Sequence, residues 1–201
     1  MYTRKDLTIL DLCSGLGGWT EAFVQHGWNV IRIENNPALQ YVPFTMELDV
    51  LKWEEWIDEI PHPDVIVASP PCVEFSTAYS APGPTAKRLG REWKPDMSVV
   101  KACLDIIDYL KPTTWVLENV QGSQGFFLPL IGARRQKIGP FYLWGNFPLL
   151  ALQGFTHSKY ENDVHSSNPM RANLRAMIPF ELSYVLFDTV SRQWDLRRWL
   201  K

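Results

Sequence analysis

The chain has 201 residues, enough for one sizeable core and few for two complete domains. Its 46% hydrophobic and 21% charged residues fit a globular protein; no apolar run reaches the roughly 20 residues of a membrane span, and MYTRKDLTIL does not read as a signal peptide. A formal net charge of -2 excludes a uniformly basic nucleic-acid binder, and three cysteines without a CxxC point to reduced thiols in a cytoplasmic setting.

Leu7 to Leu12 is an apolar, strand-like run that leads into a Gly15-Leu16-Gly17-Gly18 turn. Trp19 to His26 reads as a helix with Gly27 as its C-cap. Asn29 to Ile33 is a second strand ending at Glu34, and a weaker one near Met46 to Val50 ends around Asp49. Trp53 to Ile60 reads as a short helix, and Asp64 to Ala68 as a buried strand stopped by Pro70-Pro71. Val99, Cys103, Ile106, Ile107 and Leu110 fall at helical spacing, so Asp96 to Leu110 is an amphipathic helix. Thr113 to Leu117 is a further strand that closes on Glu118-Asn119.

Beyond residue 120 the pattern changes. Phe141 to Trp144 and Phe147 to Leu150 read as a hairpin turning at Gly145-Asn146. Gln153 to Arg171 is polar and loop-like, and Ile178 to Val190 is a final helix with Pro179 in its first turn. The alternation predicts a doubly wound α/β fold with a mainly parallel sheet and an antiparallel hairpin near the C-terminal end. No linker or repeat is visible, so one domain is expected: a cofactor part at 1–60, a catalytic part at 61–150, a short recognition-like loop at 151–173 and a helical end at 174–201.

A glycine turn after a first strand is where α/β folds bind nucleotide-like cofactors, although a structural tight turn has the same look. Thr20 stands where a dinucleotide fingerprint needs glycine. Glu34, at the next strand's end, can accept from both hydroxyls of a ribose, which suits an adenosine without a pyrophosphate. Asp49 either takes an adenine amino group or is an ordinary turn aspartate. Ser69-Pro70-Pro71-Cys72 places a thiol just past a buried strand, on a backbone stiffened by two prolines. A nearby cation or helix terminus is needed to raise its thiolate fraction. Cys103 reads as a small core residue on an apolar helix face, and Cys13 as packing. Glu118, at the neighbouring strand's end, is either a brace or a group that shares a proton with a heterocycle nitrogen. Local basic clusters occur at Lys87, Arg88, Arg91 and Lys94, and at Arg134, Arg135 and Lys137, where a solvated surface is the plain alternative to phosphate binding. No metal-ligand set is read from the sequence.

DLCSGLGG, SPPC and ENV, in that order on an α/β pattern, resemble motifs I, IV and VI of the C5-cytosine methyltransferases, over most of the chain. The resemblance implies a class I S-adenosylmethionine-dependent methyltransferase fold and a DNA substrate whose target cytosine is flipped out of the duplex. It implies S-adenosylmethionine as cofactor, lined by Ser14, Gly15, Leu16, Gly17, Gly18, Trp19, Glu34, Asp49 and Pro70. Cys72 is then the nucleophile toward C6 of cytosine and Glu118 the partner of N3. Ser76, Asn119 and Lys137 are expected on the substrate side, and Arg135 stands in for the family's Q-x-R-x-R arginine. Arg175 to Pro179 with Leu182-Ser183 resembles the last motif of small phage-type members, which returns a helix to the cofactor pocket.

Ala78 to Asp96, Pro/Gly-rich and basic, resembles the mobile catalytic loop, with a disordered surface loop as the alternative. Only about 30 residues separate Asn146 from Ile178, where family members carry a long target-recognition region. Sequence specificity is therefore expected to be short, relaxed or supplied by a partner protein. Two other readings share parts of this pattern: a tRNA cytosine-5 methyltransferase, and a catalytically idle nucleic-acid-binding paralogue. Intact Cys72 and Glu118 argue against the idle one.

Overall fold

Five strands run parallel: β1 (Thr8–Leu12), β2 (Asn29–Glu34), β3 (Thr45–Glu47), β4 (Val65–Ala68) and β5 (Thr114–Asn119). Two more, β6 (Gln136–Ile138) and β7 (Phe141–Asn146), complete a seven-stranded sheet in the order β3-β2-β1-β4-β5-β7-β6, with β7 antiparallel to both neighbours. The computed structural model describes residues 7–157 and 167–199, with side chains described as far as residue 194. The recognition-like loop at 151–173 lies partly outside the described residues.

β1 and β4 are buried along their whole length, which is why they read as unbroken apolar runs. Side-chain alternation splits them between two cores. Leu10, Leu12, Ile33, Ile66 and Leu117 face α3 (Ser98–Leu110), which contributes Val100, Cys103, Ile106 and Leu110. Ile9, Val65, Val67 and Val116 face Trp19, Phe23 of α1 (Glu21–Gln25), and Leu182, Leu186 and Val190 of α6 (Phe180–Trp199). β1 has β2 on one side and β4 on the other, so the connections diverge there. An open α/β sheet forms its ligand crevice at the carboxyl edge of such a switch point. Glu34, the chain after Ala68, and Glu118 all lie on that edge.

Gly27 takes φ +75 immediately after the first helix, as a C-capping glycine should. Elsewhere the structure corrects the sequence reading. The hairpin turns at Gly139-Pro140, between β6 and β7. Gly145 instead lies inside β7, because a Cβ there would sit 2.1 Å from the Trp115 carbonyl oxygen of the adjacent strand. Trp53 to Ile60 forms parts of two 3-10 turns (Val50–Glu55 and Ile57–Glu59) rather than a helix. Ala78 to Asp96 is not loop throughout, since it contains α2 (Pro82–Arg88). Two helices escaped the periodicity altogether: α4 (Gln124–Ile131), apolar on nearly every side, and the short α5 (Arg171–Ala176).

Candidate active site

The glycine turn is held from β2. Glu34 accepts the Gly15 N–H at 3.0 Å on one carboxylate oxygen and the Asn36 N–H at 2.9 Å on the other. A carboxylate offers about four acceptor positions, so sites remain for two hydroxyl donors. Gly15 has φ +54 and open space where a side chain would begin, which leaves a path for a ligand over the turn. Ser14 Oγ is buried without a partner beside it. These features fit an adenosine-type cofactor. Asp49 is half-buried and caps the following turn by accepting the Leu51 N–H at 2.9 Å.

The other residues of the turn are fixed by different neighbours. A Cβ on Gly18 would lie 2.3 Å from the Ile178 carbonyl oxygen, so glycine admits the chain just before α6. Ser183 of α6 then donates to the Trp19 carbonyl at 2.7 Å and accepts the Ala22 N–H at 3.1 Å. The C-terminal helix thus returns to the turn. Leu16 is partly exposed, whereas Trp19 is buried and its indole N–H donates to Ser69 Oγ at 3.0 Å. Trp19 therefore links the glycine turn to the segment that carries Cys72.

Asp11 and Arg32 had no assigned part in this site from sequence. Both are buried, at 1% and 2% exposure, and they are register partners on β1 and β2. The sequence signal was a lone arginine within the apolar strand Val-Ile-Arg-Ile-Glu. Arg32 Nε donates to Thr20 Oγ1 at 2.8 Å, and Thr20 Oγ1 in turn donates toward Asp11 at 3.2 Å. Burial pushes the Asp11 carboxyl from 3.8 up to about 7, against the opposite pull of the Arg32 charge and the Thr20 hydroxyl.

The folded protein therefore binds a proton that the unfolded chain releases between about pH 4 and pH 7, and Asp11's contribution to stability falls as pH rises through that window. We expect the melting temperature of the wild type minus that of Asp11→Asn to fall from pH 4 to about pH 7 and to level off above it. Below about pH 7 the folded wild type carries a neutral Asp11, so the uncharged Asn variant takes no counter-charge from Arg32 there and the slope reports the proton alone. A pH-independent difference between the two would contradict the assignment.

Cys72 lies in the chain that follows β4. The β4–β5 register pairs Ala68 with Leu117, so that segment runs beside Glu118 and Asn119. Asn119 is fully buried; its amide donates to the Pro70 carbonyl at 3.0 Å and its oxygen accepts the Val120 N–H at 2.9 Å. Pro70 is buried with it. Past the cysteine, Val73–Phe75 forms a 3-10 turn whose Phe75 ring packs edge-on against Phe127 of α4, centroids 5.2 Å apart. A Cβ on Gly122 would fall 2.0 Å from the Phe75 carbonyl oxygen, so this turn and the 3-10 turn Gln121–Ser123 after β5 are in direct backbone contact. Cys72 is partly exposed and is in no disulfide, and Glu118 is 8% exposed at the neighbouring strand end. Ser76 accepts the Ala78 N–H at 3.2 Å as the chain leaves the turn.

The basic residues divide. Arg135 donates through Nε to the Phe147 carbonyl and stands over the Phe147 ring. Lys137 is register partner to Tyr142, itself opposite Asn119, and its ammonium lies 5.4 Å from the Tyr142 ring centre. Both are exposed beside the edge that carries Glu118. In the 78–96 segment, Arg88 donates to the Tyr79 carbonyl at 2.6 Å and covers the Tyr79 ring at 3.7 Å. The Asp96 N–H donates to Glu74 at 3.2 Å, which ties the far end of the segment to the turn after Cys72.

A parallel sheet with an antiparallel strand inserted between β5 and β6, and a glycine turn and acidic strand end at its carboxyl edge, is the class I S-adenosylmethionine-dependent methyltransferase fold. The family model for the C-5 cytosine-specific DNA methylase matches residues 7–126, more than half of the chain, and the chain belongs to that family. It is 31% identical over 124 residues to the type II methyltransferase M.HgiGI of Herpetosiphon aurantiacus, covering 57% of this chain and 91% of that protein. It is 28% identical over 127 residues to the type II methyltransferase M.AplI of Arthrospira platensis, covering 59% of this chain and 33% of that one. The chain thus spans about a third of the second relative. A prophage-encoded E. coli chain assigned as a DNA modification methyltransferase superposes with a TM-score of 0.41 at 20% identity, over 60% of this chain and 34% of that one. No described helix is long and apolar enough to cross a membrane.

Proposed function

We propose that the chain is a DNA (cytosine-5)-methyltransferase that moves the methyl group of S-adenosylmethionine to C5 of a flipped cytosine through a covalent Cys72 adduct. The observation that carries this reading is the β4–β5 register, locked by Asn119 on the Pro70 carbonyl, which sets the Cys72 segment beside Glu118 at the edge that holds the glycine turn.

Cytosine C5 is a poor nucleophile while the ring is aromatic. Cys72 as thiolate forms a bond to C6, and the electron pair of the C5–C6 double bond moves into the ring toward N3. Glu118 shares a proton with N3 as that charge develops. C5, now enamine-like, forms a bond to the methyl group, which S-adenosylmethionine supplies with its sulfur leaving as a neutral thioether. A base then takes the C5 proton, the C5–C6 double bond re-forms, and Cys72 departs as thiolate. Glu34 would hold the ribose hydroxyls of the cofactor, and Ser14 to Trp19, Asp49 and Pro70 would complete that side of the crevice. Arg135 and Lys137 meet phosphate or the target base, with Ser76 and Asn119 on the substrate side of the cysteine turn. Recognition is short-range or comes from a partner protein, because few residues lie between Asn146 and Ile178.

The test is transfer of labelled methyl to duplex DNA, with the position read by bisulfite sequencing. Label at cytosine C5 of DNA is the expected result; label on tRNA alone would replace the DNA reading. In the same assay Glu34→Ala loses two charged-acceptor hydrogen bonds and should weaken cofactor binding by about 3 kcal/mol, roughly a hundredfold. Calorimetry showing wild-type affinity in that variant would remove Glu34 from the cofactor site.

A further inference from the structure

We propose that Arg32 is a positioning residue for the cofactor turn: its buried guanidinium and the Glu34 carboxylate clamp the two flanks of Gly15 to Gly17. The proposal rests on the functional reading above and adds to it a residue that touches neither substrate nor cofactor.

Arg32 and Glu34 are two residues apart on β2 and so leave the strand on the same face. Glu34 accepts the Gly15 N–H, and Arg32 Nη2 donates to the Gly17 carbonyl at 3.1 Å. One side chain thus takes a donor at the start of the turn and the other fills an acceptor two residues later. The remaining nitrogens extend the clamp: Nε reaches Thr20 Oγ1 at 2.8 Å and Nη1 the Pro43 carbonyl at 2.8 Å. Every acceptor lies in the glycine turn, at the head of α1, or in the segment after β2. The strand itself needs none of them.

A guanidinium offers donors in a fixed planar fork, and an ammonium cannot reach three diverging acceptors from one point. Glu21 Oε2 stands 3.7 Å from Nη2 and supplies a carboxylate counter-charge to the guanidinium. Gly17 makes the arrangement possible: at φ +74, a Cβ would lie 2.4 Å from the guanidinium carbon. The middle glycine of the motif therefore makes room for Arg32.

Three measurements on Arg32→Lys test this. In the protein without cofactor, amide hydrogen exchange across Gly15 to Thr20 should quicken about tenfold, the scale of losing one hydrogen bond from a charged donor, while the amides of β4 and β5 keep their rates. The KM for S-adenosylmethionine should rise about tenfold with kcat held within about twofold, because the turn and not the chemistry is altered. Thr20→Val, which deletes one anchor and keeps the shape, should shift both readouts in the same direction, and Thr20→Ser should restore them. These milder variants decide the matter if Arg32→Lys does not fold.

Unchanged exchange in the turn overturns the clamp whatever the enzyme does. Faster exchange with unchanged KM overturns its service to the cofactor. A kcat that falls in step with melting temperature makes Arg32 merely structural. A wild type that binds no S-adenosylmethionine overturns the functional reading and the positioning role together, and the exchange result alone still reports whether the clamp exists.

Discussion

Replacing Cys72 by Ser should reduce methyl transfer by on the order of 10⁴-fold or more, the scale seen when a covalent nucleophile is deleted from a group of residues that act together. The change is one atom in a partly exposed side chain, at the head of a turn anchored by other residues. Phe75 packs into the core, Asn119 holds Pro70, and Trp19 holds Ser69, and none of these contacts uses the sulfur. Melting temperature and S-adenosylmethionine affinity should therefore match the wild type. A serine hydroxyl is far less ionised than a thiol near neutral pH and is the weaker nucleophile toward an aromatic carbon. Loss of transfer together with loss of fold would leave the thiol's chemistry unproved, so the unchanged melting temperature is part of the expected result.

Glu118→Gln should lower the transfer rate by about 10²- to 10⁴-fold, the usual worth of a positioned acid or base. The amide keeps the carboxyl's size and one acceptor oxygen, so β5 and its pairing with β7 through Leu143 should persist. What the amide lacks is a proton it can give to N3 as charge collects there. The loss should fall on kcat at saturating cofactor and leave the KM for S-adenosylmethionine near its wild-type value. Equal loss in both would place Glu118 on the cofactor side of the crevice instead.

The carboxyl edge was legible because its parts are punctuated in sequence. A glycine turn follows β1, Glu34 ends β2, Pro70-Pro71 stops β4, and Glu118-Asn119 ends β5. Parallel strands buried on both faces announce themselves as apolar runs, and that fixed the sheet's central members. Arg32 was not legible as part of the site, because nothing local says that a charge in Val-Ile-Arg-Ile-Glu turns back toward Gly17; the reason is a contact between residues fifteen apart. Glycine at 18 carries the same lesson, since the atom that requires it belongs to Ile178 at the other end of the chain.

Turn chemistry misled in one place. Gly145-Asn146 has the composition of a two-residue hairpin turn, but Gly145 is demanded by the Trp115 carbonyl across the sheet. Helix α4 was missed because Phe126 to Ile131 is apolar on every side and carries Pro129, so no stripe at 3.6-residue spacing stands out. In the 78–96 segment, prolines at 82 and 84 read as loop although they begin α2, where a proline's fixed φ suits the first turn.

The central claim is that the Cys72 sulfur becomes bonded to cytosine during turnover. The most direct measurement incubates the protein with S-adenosylmethionine and duplex DNA carrying 5-fluorocytosine, then weighs the intact protein after denaturation. Fluorine at C5 leaves no proton to remove, so the methylated adduct cannot expel the thiolate and the complex is trapped. The account predicts a species heavier by the mass of the DNA strand plus one methyl group, attached through a peptide containing Cys72 and absent from Cys72→Ser. A wild type that methylates ordinary cytosine DNA yet forms no such species, or forms it equally with Cys72→Ser, would contradict it.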